Sequence, residues 1–248
     1  MRALVRPPSP LLADGLLTHI DRSPVDAGLA RRQWDDYVAA LSAEGWELIV
    51  VPPAPEHPDG VFIEDTMVVN GDRAVIARPG ATERRGEVPA AESVIRELGY
   101  DVATISEPAT LDGGDVLKID GVAYLGVGGR STPDAVAPLA EGLGMPVVPV
   151  PVRSVLHLKS GVTALPDGTV IGYEPLVDDI DRWPRFLAVP EPTGAHVVVL
   201  DGESVLMAAS APQTAALLRD RGLRVVEVDI SEFEKLEGCV TCLSVRLR

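Results

Sequence analysis

Both cysteines of the chain lie in its closing stretch, GCVTCLSVRLR, as Cys239 and Cys242 in a C-x-x-C spacing. That spacing serves a redox pair, half of a metal site, or one nucleophile beside a bystander. A redox pair wants a helix N-terminus in a thioredoxin-like setting, whereas CVTCLSVRL reads as strand. A zinc site wants two further soft ligands, and no other cysteine exists. A lone nucleophile needs thiolate character and a proton partner. His157, in LHLKS, is the candidate partner, and Asp112, in TLDGGDV, is a carboxylate that would fix its tautomer and stabilise its charged form. Glu64 and Asp65, adjacent in VFIEDTMVV, and Asp115 add further negative charge. Leftover buried carboxylates suit a planar, forked cation. A Cys, a His and several acids therefore point to nucleophilic attack on a guanidinium-like carbon.

These residues are far apart in the chain, so a repeated plan must gather them. TMVVNGDRAVIA, DVLKIDGVAYLG, GVTALPDGTVIG and HVVVLDGESVLM each place Asn-Gly or Asp-Gly between two β-rich runs, the signature of a tight hairpin. After three of them comes a helical segment that stops at Gly99, Gly144 or Gly222, then a short strand. The fourth helix is poorly signalled, because EPLVDDIDRWPRF is short and Pro-broken. DAGLARRQWDDYVAALSAEG reads as a helix from an Asp26 N-cap to Gly45, followed by the strand ELIVV. That unit gains its hairpin if the N-terminal ALVR pairs with the C-terminal CLSVRL. The expected fold class is then α/β: five pseudo-symmetric units closed in a ring, one domain over 1–248. The segments entering each hairpin would converge near the axis and bring Glu64, Asp65, Asp112, Asp115, His157 and Cys242 together.

Composition narrows the partners. The 248 residues carry a formal charge of −15, which opposes nucleic acid or an anionic membrane as a partner and leaves a cationic small molecule open. The N-terminus lacks a signal-peptide apolar run, and no stretch approaches a membrane span. Free thiols then favour a reducing, cytoplasmic setting.

VFIEDTMVV, RPGATERRGEV, TLDGGDV, LHLKS and VTCLSV, in that order, resemble the dimethylarginine dimethylaminohydrolase family of the guanidine-modifying (pentein) superfamily. The resemblance runs over nearly the whole chain and implies a five-bladed α/β-propeller. Related arginine deiminases carry an inserted helical domain that is absent here. By this resemblance Cys242 attacks the guanidinium carbon of a methylated arginine, and His157 protonates the departing amine. An S-alkylthiouronium intermediate forms, and His157 then activates the water that releases citrulline. Asp112 would orient His157, while Glu64 and Asp65 would hold the guanidinium nitrogens. Asp59 would meet the α-ammonium, and Arg84 with Arg130 would clamp the α-carboxylate. No metal or cofactor is called for, and a monomer or homodimer is expected. Cys239 matches no role and is expected to be a bystander, and His196 is expected to be structural. ADGLLTHIDRSPVD falls where the family has a covering loop, but no motif pins its lid residue. The acids around Cys242 would raise its thiol and a bound guanidinium would lower it. Two alternatives stand beside this reading: an arginine deiminase-type hydrolase releasing ammonia, and a non-catalytic propeller that binds a macromolecule.

Overall fold

A computed structural model describes residues 1–248. β1 (Arg2–Val5) leads through α1 (Ala27–Ala43) to β2 (Glu47–Val50), which lies parallel to it. α1 starts where Asp26 accepts the Leu29 N–H at 2.9 Å. The second unit is the antiparallel hairpin β3 (Met67–Asn70) and β4 (Arg73–Ile76), then α2 (Val88–Glu97) and a parallel β5 (Asp101–Thr104). β6 (Val116–Ile119), β7 (Val122–Val127), α3 (Val136–Leu143) and β8 (Val147–Pro151) repeat that plan. In the fourth unit α4 (Leu158–Gly161) precedes β9 (Val162–Ala164), β10 (Val170–Gly172) and β11 (Phe186–Ala188). The helix weakly signalled there is replaced by two 3-10 turns, Glu174–Leu176 and Ile180–Arg182. β12 (Val197–Val199), β13 (Ser204–Ala208), α5 (Pro212–Asp220) and β14 (Arg224–Val228) form the fifth.

The chain ends meet as the repeat requires. After α6 (Ser231–Glu234), β15 (Val245–Leu247) pairs antiparallel to β1, with Ala3 opposite Arg246. Five three-stranded sheets result. Five apolar clusters divide the hydrophobic interior among them. Tyr37 and Leu41 of α1 share one with Phe233 and Leu243, and Ile95 of α2 packs in another with Ile76 and Leu4. Residues of β3, β6, β9, β12 and β15, one edge strand of each sheet, line one central channel. No helix is long and apolar enough to cross a membrane.

Two local expectations change. Only the Asp120–Gly121 hairpin has both residues at positive φ (51° and 79°), as a type I′ turn requires. Asn70 instead pairs with Arg73 inside the β3–β4 ladder, and Gly202 stays out of the left-handed region. The tail also departs from strand: Val240–Leu243 is a run of turns, and pairing begins only at Val245.

Candidate active site

One cavity is lined by Cys242, His157, Asp65, Asp59, Arg84 and Arg130, together with Leu16, Phe62, Leu156 and the Leu236–Gly238 segment. His157 sits at the extended residue before α4, where its ring is buried. Its Nε2 donates to Asp112 Oδ2 at 3.1 Å, and its Nδ1 lies 3.9 Å from Asp65 Oδ1. Asp115 accepts the Leu158 N–H at 2.9 Å and the Ser131 hydroxyl at 2.6 Å. It therefore fixes the backbone that carries His157. Burial works to lower the His157 pKa, but the charges of Asp65 and Asp115 and the hydrogen bond to Asp112 outweigh it and hold the imidazolium up to about 9. Burial would raise Asp112, yet the hydrogen bond and charge of His157 bring it down to about 2. Burial dominates at Asp115 and pushes it up to about 6.

The two glycines of DGGD are there for space. A Cβ on Gly113 would stand 2.0 Å from the Glu64 carbonyl oxygen, and one on Gly114 would stand 2.7 Å from both Asp65 Oδ1 and His157 Nδ1. The Gly114 N–H also donates to Asp65 Oδ1 at 2.7 Å. Gly114→Ala is therefore expected to displace the His157 ring and lower kcat by about a hundredfold, the scale of an ångström of misplacement. Steady-state kinetics beside a melting curve checks this; unchanged kcat in a folded variant would show that the ring tolerates the methyl.

The acids and arginines divide differently from the sequence reading. Asp65 and Glu64 are neighbours in the 3-10 turn Ile63–Thr66. With three residues per turn, successive side chains point about 120° apart. Asp65 faces the His157 cavity, whereas Glu64 lines the central channel instead. There it pairs with Lys159 at 2.7 Å, with Arg246, and with the Thr241 hydroxyl at 2.9 Å. The expectation that Glu64 lies beside a substrate guanidinium is corrected accordingly. Arg84 is buried and already engaged: Glu87 takes Nε and Nη2 at 3.0 and 2.8 Å, and Asp65 takes Nη1 at 2.6 Å. Arg130 is looser, 3.8 Å from Asp112, and its buried Nη1 has no hydrogen-bond partner. Asp59 accepts the Leu16 N–H at 3.1 Å.

Leu16, Phe62 and Glu237 were missed by the sequence reading. Leu16 and Glu237 belong to one arrangement: the covering segment lies over the cavity, with the Thr18 and His19 N–H groups donating to the Glu237 carboxylate at 2.6 and 2.8 Å. Its only sequence signal was the position of ADGLLTHIDRSPVD. His196 donates to the Ser160 carbonyl at 2.8 Å and braces α4.

Asp65, Asp112 and His157 offer three donor atoms within 4.8 Å of one another. Arg84, the Gly80 and Gly114 N–H groups and the imidazolium already occupy their oxygens. As a donor set they suit an internal charge network better than a metal.

Cys239 and Cys242 differ most from expectation. The Cys242 N–H donates to the Cys239 carbonyl at 3.1 Å, so residues 239–242 close a turn. In a strand, residues three apart point to opposite faces; in this turn the two sulfurs meet at 3.1 Å. Cys242 lines the cavity, and both thiols are buried. Cys239 is thus no distant bystander: the two sulfurs form a pair, and the partner sulfur, burial and the charges of Glu64 and Asp65 together hold the Cys242 thiol above its usual range.

No family model matches the chain. It is 60% identical to an N(G),N(G)-dimethylarginine dimethylaminohydrolase of Streptomyces coelicolor, over 100% of this chain and 97% of the relative. Among solved structures, an adduct of dimethylarginine dimethylaminohydrolase with S-methyl-L-thiocitrulline superposes with a TM-score of 0.91 at 29% identity, covering 99% of each chain. The Pseudomonas aeruginosa enzyme complexed with citrulline superposes at 0.90 and 29% identity, covering 99% of this chain and 98% of that one.

Proposed function

The chain belongs to the dimethylarginine dimethylaminohydrolase family, and from that premise we propose that it hydrolyses Nω-methylated L-arginine to L-citrulline and dimethylamine or methylamine. The observation that carries the reading is the 3.1 Å His157–Asp112 contact at a cavity that Cys242 also lines. Cys242 acts as a thiolate: its lone pair forms an S–C bond to the guanidinium carbon while the C=N π pair moves onto nitrogen. The His157 imidazolium gives its proton to the departing amine, the C–N bond breaks, and an S-alkylthiouronium remains. Now neutral, His157 takes a proton from water as the oxygen bonds to that carbon. The C–S bond then breaks, which returns the thiolate, and the hydroxyl proton passes to solvent as the ureido C=O of citrulline forms.

Asp112 holds the imidazolium through the first step. Asp65 faces the guanidinium nitrogens with lone pairs that Arg84 and Gly114 leave free. Asp59 meets the α-ammonium. Arg130, with an unpartnered Nη1, is the main anchor for the α-carboxylate. Arg84, braced by Glu87, contributes its second Nη1 hydrogen. No step calls for a resident metal or cofactor. The five blades work as one domain on a small-molecule substrate, in the cytoplasm, as a monomer or homodimer.

The test is a panel of asymmetric dimethylarginine, monomethylarginine, arginine and agmatine, read by citrulline-type product and released amine. Methylated arginines are the expected substrates. Agmatine lacks the α-carboxylate, and each lost charge-assisted contact costs about 1.5–3 kcal/mol. Its kcat/KM should therefore fall at least about tenfold. Agmatine turned over as fast as dimethylarginine would remove Arg130 and Arg84 from binding. Faster turnover of arginine with ammonia release would favour the deiminase reading.

A further inference from the structure

The polar atoms behind Cys242 permit one arrangement of protons at rest. Glu64, paired with Lys159 and Arg246, is ionised and only accepts. The single Thr241 hydroxyl proton goes to Glu64 Oε2 at 2.9 Å. The 3.3 Å contact between Thr241 Oγ1 and Cys239 Sγ therefore takes its proton from Cys239. The 3.1 Å contact between the sulfurs must then take its proton from Cys242. A directed chain results, Cys242 to Cys239 to Thr241 to Glu64. It runs from the sulfur that lines the substrate cavity to the carboxylate that lines the central channel.

We propose that Cys239 is the positioning residue of the nucleophile, accepting the Cys242 S–H at rest and turning its own S–H from Thr241 to Cys242 once that thiol ionises. The inference rests on Cys242 being the nucleophile. On ionisation the pair releases one proton to water and keeps the other on Cys239. During attack the Cys242 lone pair becomes the S–C bond and the Cys239 proton stays in place. The same donor receives the thiolate when the C–S bond breaks.

The two thiols titrate as one coupled pair. In the resting arrangement the Cys242 S–H lowers the Cys239 thiol, while the partner sulfur and burial raise Cys242. Cys242 therefore carries the charge only once the shared proton faces it from Cys239. Glu64 and Asp65 oppose the negative charge, Arg246 and His196 favour it, and Tyr37 and Glu234 lie near enough to feel it.

The deciding experiment is the pH dependence of Cys242 alkylation by iodoacetamide in the full-length enzyme, located by mass spectrometry. Wild type is compared with Cys239→Ala, Cys239→Ser and Thr241→Val. Cys239→Ala should move the midpoint up by about one unit, slowing alkylation near neutral pH about tenfold and leaving the high-pH plateau in place. Cys239→Ser, whose hydroxyl still donates, should bring the midpoint most of the way back. Thr241→Val removes the competing acceptor and should leave the midpoint unchanged or lower it. A merely structural contribution moves both sites in the same direction or lowers the rate at every pH, and either result overturns the proposal. So does a Cys239→Ala midpoint equal to that of wild type. If Cys239→Ala does not fold, Cys239→Val, close to cysteine in volume and likewise without a donor, takes its place with the same upward shift expected. Citrulline formation that survives in Cys242→Ser would instead strike the nucleophile assignment, a failure visible separately from these shifts.

Discussion

Cys242→Ser is expected to cut citrulline formation from asymmetric dimethylarginine by about ten-thousandfold or more, the scale on which covalent hydrolases lose rate with their nucleophile. Serine fits where the sulfur stood, so the fold and the cavity should survive. What is lost is ionisation. A serine hydroxyl needs a base to remove its proton, and the nearest candidate is in the wrong state. Asp65, Asp115 and Asp112 hold His157 up to about 9 against its burial, so at neutral pH the ring is already protonated. Cysteine escapes this because a thiol ionises at about 8.5, far below a hydroxyl, and a bound guanidinium beside the sulfur lowers it. Binding is a separate matter: the affinity for dimethylarginine, measured by calorimetry, should stay within a few-fold of wild type, since Asp59, Asp65 and Arg130 are untouched. Cys239→Ser is the control and should keep most activity. If it is as inactive as Cys242→Ser, the division of roles between the two thiols is wrong.

Asp112→Asn should lower kcat by about a hundred- to ten-thousandfold, the usual contribution of a positioned proton donor. The amide retains an oxygen for the Gly80 N–H, which Asp112 accepts at 2.9 Å, so the loop is preserved. It cannot stabilise an imidazolium. Because the pKa of His157 is raised on folding, its protonated form persists below about 9 and is lost as the pH rises through that value. Wild-type activity should therefore show an alkaline limb near 9, and in Asp112→Asn that limb should move to lower pH. The same raised pKa contributes stability fully below the ordinary value of 6.5, and that stability is lost as the pH rises through about 9. Melting temperatures of the wild type should fall over that window, and those of the variant should fall less. An alkaline limb that stays in place in Asp112→Asn would mean that another group sets it.

The ring was legible in the sequence because each of its parts is local. A tight hairpin favours Asn-Gly or Asp-Gly nearby, a helix end favours glycine, and alternating apolar runs make strands. Gly99, Gly144 and Gly222 do take left-handed backbone at 84°, 65° and 87°. The ALVR–CLSVRL pairing followed from the unit that lacked a hairpin, and β15 does lie against β1. The convergence of Cys242, His157 and Asp65 on one cavity, with Asp112 bonded to His157, followed from placing equivalent residues of each unit at the axis.

What the sequence by itself determined, then, was the set of chemical groups and the repeated units that carry them; tertiary structure decided which way each group faces and what it meets. Glu64 and Asp65 look like one acidic pair in VFIEDTMVV, but a 3-10 turn sends them to different cavities. Arg84 and Arg130 look equivalent, yet Glu87 and Asp65 engage one while the other keeps a buried nitrogen unpartnered. Leu16 and Glu237 come together only because the covering segment folds back across the tail. The closing CVTCLSVRL carries β-rich residues and reads as strand, but Val240–Leu243 is a run of turns because Tyr37 of α1 and the channel wall each claim part of it. The Tyr37 hydroxyl donates to the Val240 carbonyl at 2.9 Å, and Arg246 holds the Thr241 carbonyl at 2.7 Å. A change from strand to turn over four residues moves one sulfur from the far face to contact with the other. Propensity cannot register that change, because it describes each residue against its neighbours in sequence, and the contacts that hold this turn come from elsewhere in the fold.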